Sequence, residues 1–283
     1  ANRQTRKRPE ERLHTTVITT SGAGRTWHFS HCLGRETAEH NGKTGGFMHP
    51  VDVASTDGNI LFVLSRGFGY HLKGFGGDIG MRIGKTTIDE DHIGDFARKG
   101  FTWPVGIAVS TNGTIFCSDE YENAITSYDP DGIKNFPKFD PEGESLTRWG
   151  TQGSEPGHLN GPAGIEFDNE DNLLVVDKGN NRVQKFTKNG EYLIGWGKHG
   201  DGPGEFDEPW GITVDGTGDV YVADWGNDRV QKFSPDGTHI RTFGSSEGDE
   251  LDHPAGVAVD SDGDVYVTDW GNHRVQIYDT DGQ

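Results

Sequence analysis

The side chains best suited to chemistry recur in a short box, Asp-x-x-Asn-x-Arg. Its three copies are Asp177/Asn180/Arg182, Asp224/Asn227/Arg229 and Asp269/Asn272/Arg274. A carboxylate, an amide and a guanidinium at this spacing have the donors and acceptors of an acid–base site. However, a box that recurs with equal spacing in successive segments is more typical of an ion pair that braces a turn. We therefore assign the box a structural role.

Two other sets of side chains are candidates for catalysis or metal binding. Glu166 is a carboxylate at a position where related segments carry smaller residues, namely Ala54, Ala108, Thr213 and Ala258. An acid in such surroundings is costly unless it is paired or hydrated, so Glu166 is the candidate catalytic residue. His49 and His253 each precede a proline and are the candidate metal ligands, although two histidines alone leave a zinc site incomplete.

Five copies of one sequence unit must position these side chains. The copies begin at Pro50, Pro104, Pro162, Pro209 and Pro254. The fifteenth residue after the proline is Asp119, Asp177, Asp224 or Asp269 in four copies and Ser65 in the first. Between the proline and this fifteenth residue, each copy has an apolar strand, a turn and a second strand rich in β-branched and aromatic residues. Two more strands follow, so each unit is predicted to be a four-stranded antiparallel sheet.

One such sheet buries too little apolar surface alone, so the copies are expected to pack face to face in a ring. The pattern Pro-x-Gly-[Ile/Val]-x-[Val/Phe]-Asp, followed by Val-Tyr-Val-x-Asp-x-x-Asn-x-Arg-Val-Gln, resembles the NHL repeat of β-propellers over about residues 47–282. The resemblance implies an all-β propeller with repeats starting near residues 47, 101, 159, 206 and 251. NHL propellers usually have six blades, so six blades are favoured although five repeats are readable.

The chain ends are predicted to close this ring. Residues 13–20 and 25–34 have the pattern of strands ahead of the first repeat, and the sequence stops where earlier copies enter a fourth strand. Either one N-terminal strand completes the fifth copy, giving five blades, or both contribute to a sixth. Residues 1–12 are basic and predicted to be disordered, and residues 13–283 are predicted to form one propeller domain.

Antiparallel alternation sorts the strand connections onto two faces of the disc. One face, here called the proline face, collects the residues beside each proline and those just after the fifteenth-position aspartate. The side chains at these positions differ from copy to copy, whereas the motif residues around them recur. Such variation on a constant framework is typical of a binding surface. The tryptophans among them can stack on a sugar, a peptide or a flat ligand. The candidate ligand-binding residues are Arg66, Trp103, Glu120, Lys178, Trp210, Trp225 and Trp270.

Two insertions interrupt the regular spacing of the copies. Residues 84–100 are predicted to lengthen a connection on the proline face, where they can form a lid over the channel. Residues 133–145, which contain Pro137 and Pro141, are predicted to lie on the opposite face.

The resemblance also implies an enzymatic alternative. Some NHL propellers are peptidyl-hydroxyglycine amidating lyases, in which histidines directly after the repeat proline hold zinc in the central channel. The matching positions here are Val51, Val105, Ala163, Trp210 and Ala255, none of which is a zinc ligand. That site therefore does not carry over. A divalent metal, calcium or zinc, in or near the channel is the cofactor expected if the protein is a metal-dependent lyase or hydrolase of the amidating-lyase or lactonase kind.

Composition and charge narrow the choice of partner. The 43 glycines among 283 residues fit a chain with many tight turns. The formal net charge of −19 repels a phosphate backbone, so no nucleic-acid partner is expected. No segment reads as a membrane span or a signal peptide, so the chain is expected to be soluble, with its compartment open. The sequence thus predicts a rigid scaffold that binds a protein segment or small ligand on the proline face, with the enzyme as the alternative.

Overall fold

The computed structural model describes residues 18–20, 26–28, 49–55, 59–66, 81–88, 92–97, 101–129, 145–244 and 250–282. The predicted disordered segment 1–12 lies outside them. Blade 1 comprises β3 (Pro50–Ser55), β4 (Ile60–Arg66), β5 (Met81–Thr87) and β6 (His92–Phe96), and blade 2 comprises β7 (Pro104–Val109), β8 (Ile115–Asp119), β9 (Ala124–Tyr128) and β10 (Ser145–Trp149). Blade 3 comprises β11 (Pro162–Phe167), β12 (Leu173–Asp177), β13 (Arg182–Phe186) and β14 (Tyr192–Trp196). Blade 4 comprises β15 (Pro209–Val214), β16 (Val220–Asp224), β17 (Arg229–Phe233) and β18 (His239–Phe243), and blade 5 comprises β19 (Pro254–Val259), β20 (Val265–Asp269) and β21 (Arg274–Tyr278).

These strands confirm the predicted all-β propeller of antiparallel blades. Within each blade, every strand hydrogen-bonds to the next strand along the chain, and every blade begins at its repeat proline. In the part of the chain that the structure describes, the regular helical structure is limited to single 3-10 turns at Lys178–Asn180 and Trp225–Asn227. Among the described residues, no helix has the length and hydropathy that a membrane crossing requires.

The preference for six blades was wrong, because the described strands form five. Among the strands that the structure describes, the expected closure by N-terminal strands is also not seen. Strands β1 (Ile18–Thr20) and β2 (Thr26–His28) pair with each other in a separate two-stranded sheet, while blade 5 has three strands. The two strands of this small sheet are neighbours in the chain, so their pairing costs little loop-closure entropy.

The core consists of apolar layers between successive blades. Strand β16 is buried along its whole length because its two faces meet different neighbours. Val220 and Val222 pack in the layer with blade 3, whereas Tyr221 and Ala223 pack in the layer with blade 5. A strand that is buried on both faces needs an unbroken apolar run rather than alternation.

The seam between blades 5 and 1 differs from the others. Val275 of blade 5 is 55% exposed, whereas the equivalent Val230 of blade 4 is fully buried against blade 5. On the other side of the seam, Val53 of blade 1 is 54% exposed, whereas the equivalent Ile107 is 3% exposed. Within the described part of the chain, these two faces therefore lack the apolar layer that joins the other blades.

The glycine of the Pro-x-Gly motif allows the inner strands of adjacent blades to meet. A Cβ atom on Gly211 would lie 2.6 Å from the Ala255 carbonyl oxygen in the next blade. Gly106 and Gly164 face the carbonyls of Ala163 and Trp210 in the same way, at 2.7 and 2.6 Å. The motif is therefore a packing requirement of the ring.

We expect Gly211→Ala to lower the free energy of unfolding by about 1–3 kcal/mol, because backbone must move to admit the methyl group. Gly256→Ala in blade 5 is the matched control. Among the described residues, its Cβ would meet only the Thr268 side chain, with the hydroxyl at 3.0 Å, so a loss below about 1 kcal/mol is expected. Urea unfolding followed by tryptophan fluorescence measures both, and equal losses would contradict this account of the motif.

The Asp-x-x-Asn-x-Arg box forms the predicted brace. In blade 4, Asp224 Oδ2 accepts hydrogen bonds from Asn227 Nδ2 at 2.9 Å, Arg229 Nε at 2.8 Å and Gln231 Nε2 at 3.0 Å. Its Oδ1 accepts the Asp207 N–H at 2.8 Å. The same aspartate thus joins the turn to the loop that leads into the blade, and Asp177 and Asp269 repeat the ion pair.

The prediction of an insertion over residues 84–100 was wrong. Residues 81–87 and 92–96 are the third and fourth strands of blade 1, and Gly84 pairs with Val63 inside the ladder. The segment was predicted as an insertion from the uneven spacing of the copies, but Gly84 and Gly94 occupy strand positions. The long connection in this blade lies instead between β4 and β5. The second predicted insertion falls largely on residues 130–144, outside the described residues, although its last residue, Ser145, begins β10.

Candidate functional site

Side-chain hydrogen bonds between blades order the proline face. The residue that ends the turn after the second strand accepts the N–H of the residue before the next repeat proline. Asn123 Oδ1 accepts from Gly161, Asn181 Oδ1 from Glu208 and Asp228 Oδ1 from His253, each at 2.8 Å. Neighbouring blades are therefore pinned to each other at this face, so side chains from different repeats hold fixed relative positions.

The seven predicted ligand-binding residues form a continuous series of contacts. The Arg66 guanidinium lies 4.3 Å from the centre of the Trp103 ring, and the Glu120 N–H donates to the Trp103 carbonyl at 3.0 Å. Glu120 forms an ion pair with Lys178, whose ammonium lies 4.6 Å from the centre of a Trp210 ring. We call the series Arg66, Trp103, Glu120, Lys178, Trp210, Trp225 and Trp270 the proline-face arc.

Aromatic contacts extend the arc into blade 5. Trp225 contacts Trp210 edge to face at 5.6 Å between ring centres, and it contacts Trp270 at 6.1 Å. The His253 ring lies 4.6 Å from that of Trp225. Trp270 is 64% exposed and Trp103 is 38% exposed, so neither ring is needed to fill the core. The arc thus combines cations, one carboxylate and accessible π faces, which suit a ligand with flat or polar groups.

A second feature is the axial cavity of about 410 Å³, which all five inner strands line. Val51, Val105, Trp210 and Ala255, the residues directly after the repeat prolines, contribute to its wall. These side chains have no zinc-binding atoms, so the structure does not fit the channel zinc of the amidating lyases.

Asp52 is a carboxylate that lines this cavity and was not among the predicted site residues. It occupies the glycine position of the Pro-x-Gly motif, and that departure was the signal that could have revealed it. Asp52 Oδ2 accepts the Ile107 N–H of blade 2 at 2.8 Å, and Oδ1 accepts the Val53 N–H at 2.8 Å. Burial raises the pKa of Asp52 to about 6, against the opposing effect of these two hydrogen bonds.

Glu166 lies between blades rather than among the residues that line the axial cavity in the described structure. It is opposite Leu174 in the ladder, and Leu174 packs in the layer between blades 3 and 4. Its Oε1 accepts the Phe167 N–H at 2.9 Å. Burial raises the pKa of Glu166 to about 7, the Phe167 hydrogen bond opposes the rise, and the negative charge of Asp52 adds to it. Glu166 is thus a carboxylic acid that changes charge near neutral pH.

The two candidate histidines are placed differently. His253 lies with Asp228 and Asp252, and one ligand atom from each of the three is within 4.8 Å of the others. Its Nδ1 is hydrogen-bonded to Asp252 and lies 3.7 Å from Asp228 Oδ1. The Asp252 hydrogen bond raises the pKa of His253, burial opposes it and the charge of Asp228 adds to the rise. In the described part of the chain, His49 does not belong to such a group.

The ring of blades with variable side chains on one face defines the protein as a β-propeller. Three of its units match the model of the NHL repeat, at residues 159–186, 206–233 and 251–278, which are blades 3, 4 and 5. The chain is therefore a β-propeller whose blades 3, 4 and 5 are NHL repeats. A search of curated protein sequences found no significant match.

Several solved structures are similar to this chain in fold. A catalytically inactive virginiamycin B lyase from Staphylococcus aureus with quinupristin matches at a TM-score of 0.57 and 16% identity, covering 93% of this chain and 83% of that one. A protein of unknown function from Bacteroides caccae matches at 0.58 and 15%, covering 82% and 78%. Kuenenia stuttgartiensis hydrazine synthase matches at 0.52 and 14%, covering 87% and 81%. At these identities the similarity extends to the fold alone.

Proposed function

We propose that this NHL-repeat β-propeller is a rigid binding scaffold that takes a protein segment or a small ligand on its proline-face arc. The main support is the unbroken series of contacts from Arg66 to Trp270, which spans five blades and ends in accessible indole rings. Aromatic and arginine side chains that keep accessible surface on a rigid framework are the usual anchors of binding sites. The net charge of −19 favours a partner that is neutral or positively charged.

Selection of peptides from a displayed random library on the wild-type protein tests this proposal. We expect the selected peptides to bind at least tenfold more weakly to Trp225→Ala and Trp270→Ala, because each substitution removes a stacking surface. The control is Ile240→Ala, which removes a side chain that is 48% exposed on the outer strand β18. The control should bind like the wild type, and peptide binding that survives both tryptophan substitutions would contradict the proposed face.

A second candidate function is that of a metal-dependent lyase or hydrolase, and the group Asp228, Asp252 and His253 favours it. Zinc binds imidazole nitrogen and carboxylate oxygen, and three such protein ligands would leave a fourth tetrahedral position for water or substrate. This group lies on the proline face beside Trp225 and Trp270, not at the axis. The virginiamycin B lyase similarity supports only the propeller fold, so the metal group carries this candidate.

Calorimetric titration of metal-free protein with zinc, and separately with calcium, tests the metal group. We expect one zinc ion per chain, with affinity reduced at least tenfold by His253→Ala, because the imidazole supplies the nitrogen ligand. His199→Ala is the control, since His199 also lies near an aspartate, Asp207, but outside the group. Equal zinc binding by wild type and His253→Ala would remove this candidate.

A further inference from the structure

A cavity of about 550 Å³ opens on the proline face between blades 2 and 3. Trp103, Glu120 and Tyr121 line its blade 2 side, and Asn160 and Lys178 line its blade 3 side. Its volume falls within the range of small-molecule binding sites, about 300–1,000 Å³.

The cavity is present at this repeat because a glycine replaces the larger residue that precedes the other repeat prolines. The residue before the third repeat proline is Gly161, whereas the equivalent positions hold His49, Trp103, Glu208 and His253. A Cβ on Gly161 would lie 3.5 Å from Cγ of Glu120, so a longer side chain there would extend toward the blade 2 wall. The missing side chain therefore leaves the space open in this repeat.

The cavity wall combines aromatic rings with uncommitted polar groups. Tyr121 is 69% exposed and Trp103 is 38% exposed. The Tyr121 hydroxyl and the side-chain amides of Gln152 and Asn160 make no hydrogen bond with any residue that the structure describes. Lys178 and Glu120 neutralise each other as an ion pair. No aliphatic side chain is among the described residues that line the cavity.

We propose that this cavity binds a neutral pyranose sugar. The C–H face of a pyranose packs on an aromatic ring, and its hydroxyls need donors and acceptors together, which amides and a phenol provide. The inference deepens the proposed function, because the cavity lies at the Trp103, Glu120 and Lys178 part of the arc.

The same wall fits other ligand classes less well. A peptide anchored by an aliphatic side chain would find no aliphatic surface in the cavity, and a charged side chain would compete with an ion pair that is already formed. A nucleotide would bring phosphate charge to a protein of net charge −19. A neutral polyhydroxylated ring needs no aliphatic surface and brings no charge to the cavity.

Saturation-transfer NMR and fluorescence titration test the proposal with three neutral probes, maltotriose, cellotriose and N,N′-diacetylchitobiose. We expect saturable binding of at least one probe and at least tenfold weaker binding by Tyr121→Ala, which removes an aromatic surface. Tyr192→Ala is the control, because Tyr192 is 40% exposed on β14 and lies outside the cavity.

A second variant fills the cavity without a new backbone conformation. Gly161→His is expected to abolish binding, because the imidazole would fill the cavity. The backbone accepts this side chain, since His253 and Glu208 occupy the equivalent positions with φ of 54° and 47°, close to the 60° of Gly161. Glu208→His, the same position one blade further on, should leave binding unchanged.

The outcomes separate this inference from the wider proposal. Absence of sugar binding overturns it, and so does sugar binding that survives Gly161→His. If no sugar binds while the selected peptides still need Trp225 and Trp270, only the sugar proposal fails. If a sugar binds in a Gly161-dependent manner while the tryptophan substitutions leave peptide binding unchanged, the sugar proposal stands and the peptide-binding face fails.

Discussion

Replacing Asp224 with alanine is expected to lower the free energy of unfolding by about 3–5 kcal/mol. The aspartate is fully buried, and the Arg229 side chain beside it is 11% exposed. Burial raises the pKa of Asp224, and the hydrogen bonds from Asp207, Asn227 and Arg229 oppose that rise. The buried pair adds little net stability by itself, but removing Asp224 leaves a largely buried guanidinium that has no counter-ion and keeps only its hydrogen bonds to backbone carbonyls. The loss thus comes from the charge that remains.

The same substitution in blade 5 provides a matched control. Asp269 is equally buried, but its partner Arg274 is 42% exposed and stays hydrated when the carboxylate is removed. We therefore expect Asp269→Ala to cost clearly less than Asp224→Ala in urea unfolding. Equal losses would show that the hydrogen bonds to the entry loop, rather than the stranded guanidinium, account for the effect.

Replacing Glu166 with glutamine is expected to stabilise the protein by about 1–3 kcal/mol at pH 8 and to have little effect at pH 4. The pKa of Glu166 is raised from the ordinary value of 4.5 to about 7, so the folded state holds a proton that the unfolded state loses. Stability is therefore complete below pH 4.5 and falls as the pH rises to about 7. Glutamine stays neutral throughout and keeps the oxygen that accepts the Phe167 N–H.

Asp168→Asn is the control of opposite sign. Burial would raise the pKa of Asp168, but hydrogen bonds from the Asn172 N–H and from Lys185 lower it overall. This carboxylate thus contributes stability above its ordinary pKa of 3.8, and the contribution is lost as the pH falls further. Thermal unfolding between pH 3 and 8 measures both variants. A gain from Glu166→Gln that is the same at every pH would contradict the assigned titration.

Much of the proline face was predictable because antiparallel strands alternate in direction. The tryptophans were assigned to one face from their distance to a repeat proline, and the contacts among Trp210, Trp225 and Trp270 agree with that placement. The brace was predictable for a related reason, since Asp224 and Arg229 are opposite each other in one hairpin. Both inferences needed only local spacing.

Other residues of interest were not predictable in the same way. Asp52 interacts with Ile107, which lies 55 positions away in the sequence. Tyr121, Gln152 and Asn160 surround a common cavity only because two blades pack together, and nothing in their own segments marks them. The metal group likewise needs Asp228 of blade 4 beside Asp252 and His253 at the entry to blade 5. In blade 1, uneven spacing of the copies suggested an insertion at residues 84–100, but Gly84 pairs with Val63 inside the sheet.

The sequence by itself determined the repeating unit, its antiparallel strands and the side chains that share a face, because these depend on spacing within some fifty residues. The tertiary structure decided which carboxylates lose water, which seam lacks its apolar layer and where a missing side chain leaves a cavity. Burial and cavity volume depend on what the neighbouring blade places against each residue. For the cavity at Gly161 that neighbour is Glu120, whose position follows from the packing of blade 2 against blade 3.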